Sequence, residues 1–309
     1  MRHLLSLQHL DAGELAALVR RAADFAAGRD QDKKPLAGKT VGIFFRRSST
    51  RTRTSFTVGA QKLGASTVSF GPQDLQLVTG ETVEDTGRVL SGYLDALVVR
   101  TNDAMAEMEA LARQGRMAVI NAMSTEEHPT QAIADLSTLL EARGSLDGVH
   151  LLYVGEGNNT VAALAHALAR VPGARLTIAT PAGYGVPEPI LDAAREVGRE
   201  RGAVIVQHHR ADDLPCGVDA VYATRWQTMG VPKPDPDWRE RFLPFTVDAR
   251  LMQRVGKPGG TVFLHDLPAV RGDDVTDEVL DGPQSLAWRQ AEHKMFGAMA
   301  VLETCLGAG

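Results

Sequence analysis

Nine short apolar runs, rich in Val, Ile, Leu and Phe and separated by longer amphipathic stretches, are what most constrain this chain. Residues 40–45, 66–70, 96–99 and 117–120 form the first set, and residues 149–154, 175–179, 203–206, 220–222 and 261–264 the second. Strand-length runs alternating with helix-length stretches are the rhythm of a parallel sheet crossed by helices. The rhythm occurs twice, which predicts an α/β fold of two doubly wound parallel-sheet domains of similar size, and 309 residues suit about two domains.

Ile133, Leu136, Leu139 and Leu140 stand at helical spacing, so residues 129–143 are expected to form a helix joining the domains without a flexible linker. Residues 285–306, with Leu286, Ala291, Met295, Ala298 and Leu302, read as one long terminal helix. The expected division is 1–135, 136–285, and a helix over 286–309 that packs back on the first domain. Residues 230–244 carry four prolines and little pattern; such a segment is either a surface connection or a lid.

A net charge of −5 gives no overall attraction to nucleic acid or to an anionic membrane. The amino-terminal apolar run is too short for a signal peptide, and nowhere do 18 apolar residues run together. Cys216 and Cys305 fit neither a metal-ligand spacing nor a disulfide framework and are expected to be inert. A cytoplasmic setting is the expectation.

Basic residues matter locally. Residues 45–56 place four arginines and six hydroxyl side chains directly after the first apolar run. Phe56, Ala60 and Leu63 then follow at spacings of four and three, predicting a helix that starts near Ser49 with free N–H groups aimed at the loop. An oxyanion would be held there by backbone donors, the helix dipole and Arg51 together. A solvated basic turn does not need hydroxyls interleaved with its arginines, and the stretch lacks the Gly-Lys-[Ser/Thr] of a Walker loop.

Four separated motifs stand in order: Ser49-Thr50-Arg51-Thr52-Arg53, Val99-Arg100-Thr101, His128-Pro129-Thr130-Gln131 and His265-Asp266-Leu267-Pro268-Ala269-Val270-Arg271-Gly272. In that order and rough spacing the chain resembles the aspartate/ornithine carbamoyltransferase family over nearly its full length. Gly80-Glu81-Thr82-Val83-Glu84-Asp85-Thr86, Gly155-Glu156-Gly157-Asn158-Asn159 and Thr228-Met229-Gly230 bring it closer to the ornithine branch. The resemblance implies two parallel-sheet domains, with carbamoyl phosphate held mainly by the first, and no metal or organic cofactor.

By that resemblance Ser49, Thr50, Arg51 and Thr52 bind the phosphate, which is also the leaving group. Arg100 and His128, helped by Thr52, point at the carbonyl oxygen, where losing one such donor typically costs about 2.7–4 kcal/mol of barrier. Gln131 contacts the carbamoyl group, and Arg271 with the Leu267 carbonyl fixes its NH2 end. Arg271 has a competing reading as a turn residue paired with Asp273 or Asp274. Gln76, on the 72–81 loop, is implied to reach a neighbouring subunit's site in a homotrimer.

The acceptor side departs from the family pattern. Ornithine carbamoyltransferases place cysteine where this chain has Asp266, and aspartate where it has Thr224. Arg225 and Gln227 resemble instead the Thr-Arg-x-Gln with which aspartate carbamoyltransferases bind a dicarboxylate. Asn159 and Asn158 remain as ornithine-type donors for an α-carboxylate, and Thr228 and Met229 complete the implied acceptor set. Asp266 is open to three roles: general base for the acceptor, binder of a second cationic group, or internal ion-pair partner of Arg225 or Arg271.

The reading is therefore a carbamoyltransferase acting on ornithine or an ornithine-like amino acid. Alternatives are a member specialised for another diamino acid, an aspartate-like acceptor or a secondary-metabolite amine, and, from another class, a non-catalytic metabolite-binding subunit. Gly155-Glu156-Gly157 after a strand also admits a dinucleotide site, although the third glycine is missing.

Overall fold

Each of the nine apolar runs is a strand in the computed structural model, which describes residues 3–30, 32–101, 104–227, 232–233, 235–258 and 260–307. The chain divides into two units, one of Met1–Ala142 with Glu292–Gly309 and the other of Arg143–Ala291. The first contains β1 (Thr40–Phe45), β2 (Ser66–Phe70), β3 (Ala96–Arg100) and β4 (Ala118–Met123), all parallel, in the order β2-β1-β3-β4. The second contains β5 (His150–Val154), β6 (Arg175–Ala179), β7 (Val204–His208), β8 (Ala220–Ala223) and β9 (Val262–His265), also parallel, in the order β7-β6-β5-β8-β9.

The near-continuous apolar runs have their cause in this arrangement, because a central parallel strand is covered on both faces. Every residue of β3 and β4 is buried, whereas β2, at the sheet edge, exposes Ser66, Val68 and Ser69. Phe44, Leu97 and Val99 pack with Leu111, Met117 and Val119 in the first core, and Leu152, Val221 and Phe263 with Val247, Leu251 and Val279 in the second. Strand β4 runs three residues past the apolar run that announces it, since Asn121 stays buried by donating its side-chain N–H to Leu5 O at 2.8 Å.

Helices α1 (Ala12–Ala26), α2 (Arg51–Lys62), α3 (Val83–Leu90), α4 (Met105–Ala112) and α5 (Pro129–Arg143) accompany the first sheet. In the second unit lie α6 (Asn159–Leu168), α7 (Glu188–Arg199), α8 (Trp238–Phe242), α9 (Ala249–Val255) and α10 (Asp277–Leu280). The last helix, α11 (Ala287–Leu306), gives its residues from Glu292 onward to the first unit. The proline-bearing segment is more regular than its sequence suggests: Trp238 and Phe242 make a short helix whose rings pack edge to face at 5.8 Å. Burial of aromatic surface overrides poor local propensity there. The 72–81 loop likewise contains a 3-10 turn at Gln76–Thr79, closed by Gly80 at φ 102. Among the described residues no helix is long and apolar enough to cross a membrane.

A parallel sheet sends every strand's carboxyl end, and the start of every following helix, to one edge. Strand order reverses beside β1 and β3 in the first unit and beside β5 and β8 in the second, and crevices for ligands open outside such reversals.

At the opposite edge of the second sheet, buried Asp219 opens β8 and accepts from Arg143, from Lys257 and from the His150 N–H at 2.8 Å. Asp219→Ala leaves two cations facing each other and is expected to cost about 3–5 kcal/mol, read as a lower denaturant midpoint. A shift below about 1 kcal/mol would show the cluster to be solvent-screened.

Candidate active site

In the first unit, the loop after β1 carries Ser49 and Thr50 into α2, which starts at Arg51 with Thr50 as its cap. Thr50 makes no side-chain bond to the first turn, so this helix start is not closed by its own cap. Of the neighbouring arginines, Arg46 is bound by Glu107 at 2.5 Å, and Arg53 lies over the Phe45 ring at 5.3 Å. Arg51 stands at the first helical position and Thr52 is buried beside it.

Strand β3 ends on Arg100, where its register with β4 shifts. The guanidinium is buried and its Nη1 donates to Thr52 Oγ1 at 3.2 Å, joining the ends of β3 and α2 across the β1/β3 reversal. His128 sits at the entrance to α5, its carbonyl accepting from Gln131 N at 3.0 Å. Burial first, then the charges of Lys294 and Arg100, hold the His128 imidazole well below its ordinary pKa, so it is neutral near pH 7 and can donate one ring N–H. Buried Gln131 is fixed at both ends of its amide: Nε2 donates to Asp135 Oδ1 at 2.7 Å and Oε1 accepts from Lys294 Nζ. One N–H and one lone pair remain for a ligand.

Lys294, which no sequence motif marks, belongs to this site. It sits on α11 next to Met295, in what was read as an apolar stripe, and it is 8% exposed. A cation within a buried helical face is itself the signal, because lysine enters a core only when something there needs it. Gln76 lies elsewhere on this unit's surface, exposed, its side-chain oxygen accepting from Thr79 Oγ1 at 2.7 Å.

In the second unit β5 leads through Gly155 to Asn158, the cap of α6. Asn158 Oδ1 accepts from Thr160 N at 2.9 Å, from Val161 N at 3.4 Å and from Tyr153 OH at 3.0 Å. The helix start that a pyrophosphate would need is thus taken by the cap itself, and the dinucleotide reading fails on that geometry. Gly157 has a different necessity: a Cβ there would stand 2.3 Å from Gly185 C and Val186 N.

Asn158 Nδ2 donates to Thr224 Oγ1 at 3.1 Å, just past the end of β8. Thr224 in turn lies 3.2 Å from both oxygens of Asp266, just past the end of β9, and Thr160 Oγ1 donates to Asp266 Oδ2 at 3.1 Å. The partners of Asp266 are these hydroxyls, not Arg225 or Arg271, which corrects the internal ion-pair reading. His265 Nδ1 is 3.5 Å from Asp266 but is committed as acceptor to the Leu267 N–H at 2.8 Å, while its Nε2–H donates to Asp274 at 2.6 Å. Asp266 therefore carries a half-buried negative charge with no Lys or Arg partner among the described residues.

Arg271 is exposed and shared by Asp277 at 2.5 Å and Asp281 at 2.6 Å, bonds that raise its pKa further, Asp281 foremost. Its ion-pair partners are thus not Asp273 or Asp274. Arg225 and Gln227 line a cavity of about 160 Å³ with Trp226, Trp238, Arg239 and Asp273. Asn159 opens α6, and Leu267 takes a left-handed backbone at φ 53. Thr228 and Met229 lie outside the described residues. Among the described residues no three His, Cys, Asp or Glu side chains group as metal ligands.

Comparison with known proteins bears on both halves. Residues 2–141 match the carbamoyl-P binding domain of aspartate/ornithine carbamoyltransferase, and residues 147–305 match its Asp/Orn binding domain. The ornithine carbamoyltransferase of Halalkalibacterium halodurans is 38% identical over 307 residues, covering 99% of this chain and 95% of that protein. The solved ornithine carbamoyltransferase of Pyrococcus furiosus superposes with a TM-score of 0.92 at 37% identity, covering 100% of this chain and 98% of that one. The anabolic enzyme of Campylobacter jejuni does so at 0.90 and 29%, covering 99% of each.

The buried imidazoles set a pH dependence of stability. Unfolded His128 takes up a proton near pH 6.5, which the folded site resists. His166, pushed down to about 4 by burial and Arg170, acts in the same direction. The unfolded chain then binds more protons, so stability is expected to fall as pH drops below about 6.5, by up to about 1.4 kcal/mol per pH unit for each histidine. His166→Gln should flatten this slope in urea titrations between pH 6.5 and 4.5; an unchanged slope would mean that His166 is protonated in the fold.

Proposed function

The chain belongs to the aspartate/ornithine carbamoyltransferase family and is a carbamoyltransferase of the ornithine type, and on that premise we propose that it carbamoylates the side-chain amine of ornithine. The amine nitrogen attacks the carbamoyl carbon, the C–O bond to phosphate breaks with its electron pair going to phosphate, and the nitrogen gives up one proton. In this reading Ser49, Thr50, Arg51 and Thr52 take the phosphate at the open start of α2. Arg100 and neutral His128 donate to the carbonyl oxygen as its charge grows, and Gln131, set by Lys294, orients the amide. Arg271 acts on the carbamoyl NH2 end only if it exchanges Asp277 and Asp281 for it.

The observation that carries ornithine as acceptor is the contact between Thr224 and Asp266. Ornithine-type enzymes are expected to hold the α-amino group with a carboxylate at the first position, where this chain has threonine. Here a carboxylate stands 3.2 Å from that threonine's hydroxyl, so the negative charge is kept in the pocket and moved to the next strand. Two hydroxyls fix the carboxylate and bring no charge of their own, which suits an anchor for the acceptor's α-ammonium. Asn159 and Arg225 supply donors for its carboxylate.

The wider proposal is a cytoplasmic homotrimer in which Gln76 serves a neighbour's site. Its supports are two free thiols, with Cys216 exposed, and the exposed Val78 of the Gln76 turn with exposed Val89 on α3 and Tyr93 just after it, Tyr93 being 75% exposed.

Phosphate release from carbamoyl phosphate, offered ornithine, lysine, 2,4-diaminobutyrate, putrescine and aspartate separately, tests the acceptor. Ornithine is expected to be turned over fastest, and Asp266→Asn to raise its KM by about tenfold or more with kcat largely kept, as for loss of a uniform binding contact. Another amine winning would reassign the pocket, and a collapse of kcat with unchanged KM would make Asp266 the base. Tyr93→Glu is expected to lower the mass by light scattering to that of a monomer, while Gln76→Ala keeps the mass and loses activity; a monomeric wild type ends the trimer reading.

A further inference from the structure

Lys233 leaves the proline-bearing segment and buries its ammonium, the side chain being 4% exposed. Its Nζ pairs with Glu156 and lies 4.4 Å from the Tyr184 ring centroid, 4.8 Å from Phe242 and 5.3 Å from Trp238. Three rings and a carboxylate around one ammonium are the recognition chemistry of an alkylammonium site, with cation–π attraction strongest where water is excluded. A lysine with no such need would extend its ammonium into solvent.

The walls of this box are also the supports of the acceptor loop. Tyr184 presents its ring to Lys233 and its carbonyl to Gly157 N at 2.8 Å. Glu156 presents its carboxylate to Lys233 and its carbonyl to Asn158 N at 3.0 Å and Tyr153 OH at 3.0 Å. Asn158 then holds Thr224, and Thr224 holds Asp266. The same ion offsets the charge of Glu156, leaving Asp266 as the carboxylate of this network without a Lys or Arg partner among the described residues.

We propose that Glu156, Tyr184, Trp238 and Phe242 form a cation-binding cage, filled by the chain's own Lys233, and that this internal ion locks the 155–158 loop so that Asn158 sets the acceptor carboxylate. Lys233 is thus a positioning residue for the acceptor, an inference that rests on the acceptor reading above for its kinetic consequence only.

The test uses the full chain with Lys233→Met, Lys233→Arg and Lys233→Ala. Lys233→Met is expected to raise the acceptor KM by about tenfold, with kcat and the KM for carbamoyl phosphate changing less than about twofold, and Lys233→Arg to restore most of it. Hydrogen exchange at Gly157 and Thr160, which needs no acceptor, should quicken in Lys233→Ala. Tetramethylammonium, which cannot be carbamoylated, should slow it again where tert-butanol does not. Wild-type KM and exchange in Lys233→Met, or equal effects of tetramethylammonium and tert-butanol, would overturn the cage. If no amine is turned over by the wild type yet exchange responds to the cation, the cage stands and the acceptor reading falls. A Lys233→Met protein that fails to fold shifts the decision to Lys233→Arg, whose wild-type exchange is expected and whose loss of protection would refute a site that recognises charge.

Discussion

Both candidate sites depend on the direction of their sheets. With every strand parallel, the carboxyl ends of β1, β3 and β4 gather Thr52, Arg100 and His128 on one edge, and those of β5, β8 and β9 gather Asn158, Thr224 and Asp266. Residues 48 positions apart, Thr52 and Arg100, and 106 apart, Thr160 and Asp266, meet because each follows a strand end. An antiparallel pairing would send alternate ends to opposite edges and break both sets.

The two units finish their helix starts differently, which in the proposed reading suits them to different ligand chemistries. Thr50 leaves α2 without a side-chain cap, among arginines and hydroxyls, which is the state in which a helix start receives an anion. Asn158 closes α6 with its own amide oxygen and turns its N–H outward to Thr224. In the proposed reading the first terminus takes the dianion, while the second spends its donors on the loop and leaves a carboxylate for a cation.

What could be read in advance follows from what each signal depends on. Strands buried on both faces write themselves as apolar runs, so nine of nine were legible, and the helix start within the hydroxyl–arginine stretch was legible from the spacing of Phe56, Ala60 and Leu63. Lys294 and Lys233 were not legible. Each is a lone lysine whose meaning lies in partners far along the chain, Gln131 in one case and Glu156 with Tyr184 in the other. Arg271 has partners that spacing could not rank: its guanidinium is held by Asp277 and Asp281, acids six and ten residues on, and not by the nearer Asp273 or Asp274.

Asp266 and Thr224 looked like two separate departures from the family pattern, each weakening the case for ornithine. Hydrogen-bonded to one another at 3.2 Å, they are one change. In the proposed reading, a carboxylate at the end of β9 in place of one at the end of β8 keeps the charge of the acceptor pocket while moving it across neighbouring strands, which are paired in register at Ala223 and His265. Such an exchange preserves the sign of the acceptor group and alters its position by about one strand spacing, roughly 4.8 Å. In the proposed reading the pocket takes a cationic amino acid, with a preferred reach set by where Asp266 stands.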